Sequence, residues 1–243
     1  MTPEASLAAI LAARIRAGRP IPFAEFMREC LYHPEHGYYS RLRTRRRGDY
    51  YTSVDVHAIF GRLIARQLAE MWELHGSPQP FLAVESGAGV GRLATNILDF
   101  AARELPAFYA ATKYIAVEHS PERRAEHAAA LASHIARGRA SSSGEIPSDI
   151  PAGCIFSNEL LDALPTHRVV MEDSNLREVY VALEDGKFIE VLREPSTPDI
   201  EQYFREQGIA LHEGQQAEAC LNACSWIGGA GRAIGRASCR ERV

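Results

Sequence analysis

A chain of 243 residues with 46% hydrophobic content can bury roughly 70% of its unfolded surface, enough for one core with at most a small insertion. Its formal net charge of −4 and pI near 6.2 exclude a general nucleic-acid or anionic-membrane binder, because those partners need a broad positive field. No apolar stretch approaches the roughly 20 residues of a membrane span, and five cysteines scattered without a CxxC pair suit free thiols in a reducing cytoplasm rather than a disulfide framework or a metal site.

Thr2 to Gly18 carries Leu7, Ile10, Leu11 and Ile15 at helical spacing after a Thr-Pro start, which predicts a docked helix. Its Ala- and Arg-rich composition also suits a mitochondrial presequence. Pro22 to Leu31 reads as a short helix entered through proline, followed by the turn-rich aromatic stretch Tyr32 to Tyr39 and a polar loop holding Arg41, Arg43, Arg45, Arg46 and Arg47. His33 and His36 flank a proline, but with no third ligand evident they read as parts of a turn. From Asp55 to His75, apolar Ile59, Phe60, Leu63, Ile64, Leu68, Met71 and Trp72 recur at three and four, giving a long amphipathic helix that Gly76 ends. Residues 1–80 are therefore expected as a helical segment packing on the domain C-terminal to it.

Strand and helix then alternate: strand Phe81–Glu85, helix from about Val90 to Arg103, strand Lys113–Glu118, helix Pro121–Arg137, strand Gly153–Ser157. This order predicts an α/β fold with a doubly wound, mostly parallel sheet covered by helices on both faces. Leu176 to Glu194 breaks the pattern, since two alternating runs flank Asp185-Gly186, the signal of a β-hairpin within an insertion over 166–215. Ala217 to Ile227 reads as a further helix, and Gly228 to Gly231 precedes a strand that does not arrive, so the sheet of the 81–233 domain is expected to be incomplete. The tail Ile234 to Val243 can be encoded in frame by a common sequencing-adapter string, and it is expected to be an artefact that cuts the natural frame short at about Ala233. Finding the same tail in the genomic locus would remove that expectation.

The segment Glu85-Ser86-Gly87-Ala88-Gly89-Val90-Gly91 joins a predicted strand to a predicted helix, where glycines let backbone approach a nucleotide-type cofactor. Glu85 beside this loop would repel the pyrophosphate of a dinucleotide and attract the ammonium and sulfonium of S-adenosylmethionine. Glu118, ending the next strand, can accept hydrogen bonds from ribose hydroxyls of either cofactor. A plain tight turn with a strand-end surface charge also satisfies the pattern.

Three segments taken together resemble the MidA family of S-adenosylmethionine-dependent methyltransferases. They are Phe26-Met27 and Leu31 to Tyr39 with Gly48 to Ser53, then Glu85 to Gly91, then Ser157 to Pro165, where Asn158, Glu159, Asp162, Ala163, Leu164 and Pro165 match the family's Asn-Glu…Asp-Ala-Leu-Pro pattern. Ser86 and Ala88 depart from the apolar and proline residues that the family often carries there. The resemblance implies a class I, Rossmann-like fold and S-adenosylmethionine bound through Thr52, Glu85, Gly87, Gly89, Gly91, Glu118 and Asn158. It also implies a protein substrate methylated on arginine in connection with respiratory complex I assembly, in a bacterial-type cytoplasm or the mitochondrial matrix.

Glu159 and Asp162 are three apart, on one face if a helical turn starts there. Two such carboxylates can hold a guanidinium by forked hydrogen bonds and keep electron density on the attacking nitrogen. Alternatively Asp162 caps the next turn and Glu159 is a solvated charge. A non-catalytic assembly module and a small-molecule methyltransferase remain the competing functions.

Overall fold

The computed structural model describes residues 6–41 and 57–235; Thr52, the arginines from 43 to 47 and the tail beyond Gly235 lie outside them. The chain divides into two compact units, Met1–Arg47 with Leu161–Trp226, and Gly48–Leu160 with Ile227–Val243. The segment 166–215, expected as an insertion, groups with the N-terminal residues.

In the second unit, β2 (Phe81–Ser86), β3 (Thr112–Val117), β4 (Ala140–Ser143) and β5 (Gly153–Ser157) form a four-stranded sheet in the order β4-β3-β2-β5. All its pairings are parallel. Alternation along each strand sends Phe81, Ala83, Tyr114, Ala116, Cys154 and Phe156 to one core and Leu82, Val84, Ile115, Val117 and Ile155 to another. The first core is closed by α4 (Ile59–Leu74), α5 (Arg92–Glu104) and α6 (Pro106–Ala111). Helices α4 and α5 cross closely at Gly61, where a Cβ would lie 2.5 Å from Asn96 Cβ. The second core takes Ile150 and Ala233, the latter ending α10 (Leu221–Ala233). Helices α7 (Pro121–Ala130) and α8 (Ala132–Ala136) connect β3 to β4. The strand order reverses between β2 and β5, which makes their carboxyl ends the switch point where ligands of open α/β sheets bind.

The first unit holds α1 (Leu7–Ala17), β1 (Ile21–Pro22), α2 (Phe23–Tyr32) and α3 (Tyr38–Arg41). It continues with β6 (His167–Glu172), β7 (Asn175–Glu184), β8 (Lys187–Arg193), α9 (Asp199–Glu206), β9 (Gln216–Ala219) and the start of α10. Its five strands pair antiparallel throughout. The expected hairpin is β7–β8, with Asp185 at φ 48° and Gly186 at φ 76°, both left-handed as a two-residue turn of this twist requires. Glu178 is fully buried in the sheet, accepting from His167 Nδ1 at 2.7 Å and from the Ser196 amide. Burial pushes its carboxyl up, but these hydrogen bonds outweigh burial and hold it below the ordinary range.

Several elements differ from the sequence reading. Strands β4 and β6 and helix α9 stand where no element was expected, and residues 217–219, expected as the start of a helix, belong to a strand. Helix α10 continues through Gly228 to Gly231 because small residues let its far end pack, with Ala230 and Ala233 buried. His33 is a turn residue whose Nδ1 accepts from the Glu35 and His36 amides. Its ring stacks on His36, and Tyr39 stacks on Tyr32. Cys30, Cys154, Cys220 and Cys224 are free thiols.

Candidate active site

The glycine segment leaves the carboxyl end of β2, and its three glycines all take positive φ, 78°, 57° and 85° at Gly87, Gly89 and Gly91. They serve different ends. A Cβ on Gly87 would meet Leu160 Cδ1 at 3.0 Å and one on Gly91 would meet His127 Cδ2 at 3.3 Å, so these two permit close packing. A Cβ on Gly89 would meet nothing within 4 Å. Space over left-handed backbone at a switch point is a cradle for a ligand that approaches the main chain.

The amides of this loop are spent inside the protein. Gly87 and Ala88 both donate to Val117 O at 2.9 Å, Gly91 donates to Ala88 O at 2.9 Å, and Gly89 donates to Glu118 Oε2 at 2.9 Å. These four are therefore not offered to a pyrophosphate, which is what the dinucleotide reading needed. Glu118 accepts a second hydrogen bond from Ser120 N at 2.9 Å; a carboxylate has about four lone-pair positions, so acceptor capacity is left for ribose hydroxyls.

Glu85 lies one residue before the end of β2 with 3% exposure. Tyr114, on the neighbouring strand of the same face, donates its O–H to Glu85 Oε2 at 2.6 Å. Burial first, and the charge of Glu118 after it, raise the carboxyl to about 7 against the lowering effect of the Tyr114 hydrogen bond. Two acidic groups that repel each other beside an open glycine loop suit a cationic ligand and oppose an anionic one. The residues present therefore fit S-adenosylmethionine, and Gly89, Glu85 and Glu118 are the ones that could hold it.

Asn158 to Leu160 leave the carboxyl end of β5, which runs parallel to β2. Asn158 is half-buried, whereas Glu159 and Asp162 are exposed. Glu159 adopts a left-handed φ of 50° before the 3-10 turn Leu161–Ala163. The two carboxylates accordingly do not share the helical turn that their spacing suggested. Thr52 lies outside the described residues. Sequence reading missed Tyr114 and His127, which hold Glu85 and Gly89: Tyr114 was one apolar residue in a strand, and His127 one polar residue on a helix, with nothing local to mark either.

A four-stranded parallel sheet with an acidic glycine loop at its switch point defines a class I S-adenosylmethionine-dependent methyltransferase fold. Residues 63–239 match the model of a family described as "Putative S-adenosyl-L-methionine-dependent methyltransferase", and the chain belongs to this family, the MidA family, whose cofactor is S-adenosylmethionine. It is 33% identical over 219 residues, covering 79% of this chain and 50% of the relative, to the mitochondrial protein arginine methyltransferase NDUFAF7 homolog of Drosophila melanogaster. The Rattus norvegicus protein arginine methyltransferase NDUFAF7 is 28% identical over 70% of this chain and 44% of its own length. A Burkholderia thailandensis protein crystallised with S-adenosyl-homocysteine superposes with a TM-score of 0.76 at 26% identity, over 94% of this chain and 59% of that one. The chain thus spans about half the length of the curated relatives it matches.

Proposed function

We propose that this protein methylates an arginine side chain of a protein substrate. The observation that carries the methyltransferase reading is the loop itself, with Gly89 open to a ligand while Glu85 and Glu118 stand beside it. Arginine as acceptor is supported by the names of the relatives, protein arginine methyltransferases, and by two exposed carboxylates in the segment after β5.

Bound S-adenosylmethionine supplies an electrophilic methyl group on a sulfonium, open to in-line displacement. The work of the chain is then positioning and charge. Gly89 lets the cofactor lie on the main chain, Glu118 accepts from ribose hydroxyls, and Glu85 answers the cofactor's positive charge. Glu159 and Asp162 accept hydrogen bonds from a guanidinium, orient it and take up the proton it sheds. A role in respiratory complex I assembly, in a bacterial-type cytoplasm or a mitochondrial matrix, rests on the relatives' names, and free thiols suit either compartment.

The deciding experiment replaces Glu159 by Gln and Asp162 by Asn, one at a time, and measures methyl incorporation into candidate proteins beside calorimetric titration of the cofactor. Turnover is expected to fall about 100-fold or more with cofactor affinity within about twofold of wild type. Unchanged turnover removes the two carboxylates from the mechanism. Cofactor binding with no turnover on any protein, by the intact protein, would favour a non-catalytic assembly role, and turnover on purified metabolites alone would favour a small-molecule substrate.

A further inference from the structure

The histidine on α7 is not accounted for by packing alone. His127 is fully buried, and both of its ring nitrogens are engaged. Nε2 lies 2.9 Å from the Gly89 carbonyl oxygen and Nδ1 lies 2.8 Å from Ser142 Oγ on β4. A carbonyl can only accept, so Nε2 carries the proton and donates, while in the neutral ring Nδ1 accepts from the Ser142 hydroxyl. Glu118, meanwhile, accepts from the amide of the same glycine.

We infer that His127 is a positioning residue for cofactor binding, bracing the Gly89 carbonyl while Glu118 braces the Gly89 amide. The inference rests on the reading of this loop as the cofactor cradle. Gly89 is the residue of the segment whose Cβ side is open, and glycine loses the most backbone freedom when fixed. Left to itself it would have to be ordered when the ligand arrives, at the expense of affinity. The side chains of Glu118, just after β3, and of His127 on α7 order it beforehand. The missing Cβ of Gly91 leaves the imidazole room, since a methyl there would stand 3.3 Å from His127 Cδ2. Thr95 Oγ1, donating to Gly91 O at 2.9 Å and within 3.2 Å of Ala130 O, ties the same helix to the loop.

The test separates the hydrogen bond from the bulk of the ring. His127→Leu fills the space without a donor, whereas His127→Gln offers a side-chain N–H at similar reach. In the full chain, binding of S-adenosylhomocysteine measured by calorimetry is expected to weaken about tenfold in His127→Leu and to stay within about twofold of wild type in His127→Gln. In His127→Leu the KM for S-adenosylmethionine should rise in step with that loss of affinity, with kcat changing less. Amide hydrogen exchange of residues 87–91 in the ligand-free protein should be faster in His127→Leu than in His127→Gln, and this readout needs neither ligand nor turnover. Equal binding and equal exchange in the two variants would overturn the inference, whether both match wild type or both are impaired, since equal impairment assigns His127 to packing. A folded wild type that binds no S-adenosylhomocysteine yet shows the exchange difference would overturn the cofactor reading and leave the brace standing as a purely structural one.

Discussion

At the scale of single residues, Glu85 is the group whose chemistry should be visible in bulk measurements. Its carboxyl is raised from 4.5 to about 7, burial being the main cause. Proton counting gives the sign: between those two values the folded state holds a proton that the unfolded state has released, so stability falls as pH rises from about 4.5 through about 7. At about 1.4 kcal/mol per pKa unit, the loss is on the order of 3 kcal/mol. Urea unfolding of the ligand-free protein at pH 5 and pH 8 should show it, and Glu85→Gln should flatten that part of the profile. A ligand that brings an ammonium to Glu85, as the amino-acid end of both S-adenosylmethionine and S-adenosylhomocysteine does, reverses the trend, because it gains from the ionised carboxylate. Affinity for S-adenosylhomocysteine should therefore rise through pH 7 in wild type and be both weaker and flatter in Glu85→Gln; a parallel rise in the variant would show that another group controls binding. The neighbouring Gly89→Ala places a methyl in the ligand's space at φ 57°, costing roughly 1–2 kcal/mol in backbone strain and abolishing calorimetric binding. The acidic strand end and the glycines were legible because they are contiguous in sequence. Tyr114 and His127 were not, because each meets its partner across 29 and 38 residues of chain.

At the scale of elements, legibility depended on how strongly a segment declares its own period. Strands β2, β3 and β5 are short apolar runs inside a parallel sheet, and α4 repeats its apolar face over four turns, so sequence alone marks them. Strand β4 is Ala140-Ser141-Ser142-Ser143, an edge strand whose conformation is set by pairing with β3 and not by its own residues. Strand β9 carries a buried Ala219, which fits a helix as readily as a sheet, and its pairing with β6 decides the matter. The turn between β6 and β7 was hidden for a related reason. Asp173 and Ser174 both adopt left-handed φ, 50° and 59°, with no glycine to announce it. What holds them is remote: the Glu213 carboxylate accepts from Asp173 N at 2.8 Å and Ser174 N at 3.1 Å. Replacing Glu213 by Ala should cost about 1–2 kcal/mol in urea unfolding, whereas Asp173→Gly should recover part of that loss in the double variant by relieving the left-handed backbone. No difference between Glu213→Ala and wild type would mean that strand pairing alone fixes the turn. The cap of α7 offers a second check, since Ser120 Oγ accepts from Arg123 N at 3.3 Å and Pro121 fills the first helical position. Ser120→Ala is expected to cost about 1 kcal/mol.

At the scale of the whole molecule, the βαβ half of the fold could be read in order along the chain, but the partition into units could not. The N-terminal residues join the antiparallel sheet through a two-residue strand, with Ile21 opposite Val181 and Pro22 opposite Tyr180, and nothing in so short a segment points to a partner that far along the chain. The partition has a consequence that two native probes can report. The chain has two tryptophans; Trp72 belongs to the unit with the glycine loop and Trp226 to the other. Trp72 donates its indole N–H to Pro78 O at 2.9 Å, and its ring lies 5.9 Å from that of Phe108, so its emission reports the packing of α4 against α6. In Trp226→Phe, urea unfolding read by Trp72 fluorescence should move to higher denaturant on adding S-adenosylhomocysteine, by about 2.7 kcal/mol at 100 times its dissociation constant. Adding Gly89→Ala to that background should cancel the shift, because ligand binding stabilises only what binds it. In Trp72→Phe, Trp226 reports the unit that lacks the loop, and a ligand shift seen there but absent from Trp72 would place the cofactor in the antiparallel unit and overturn the assignment of the site to the switch point between β2 and β5.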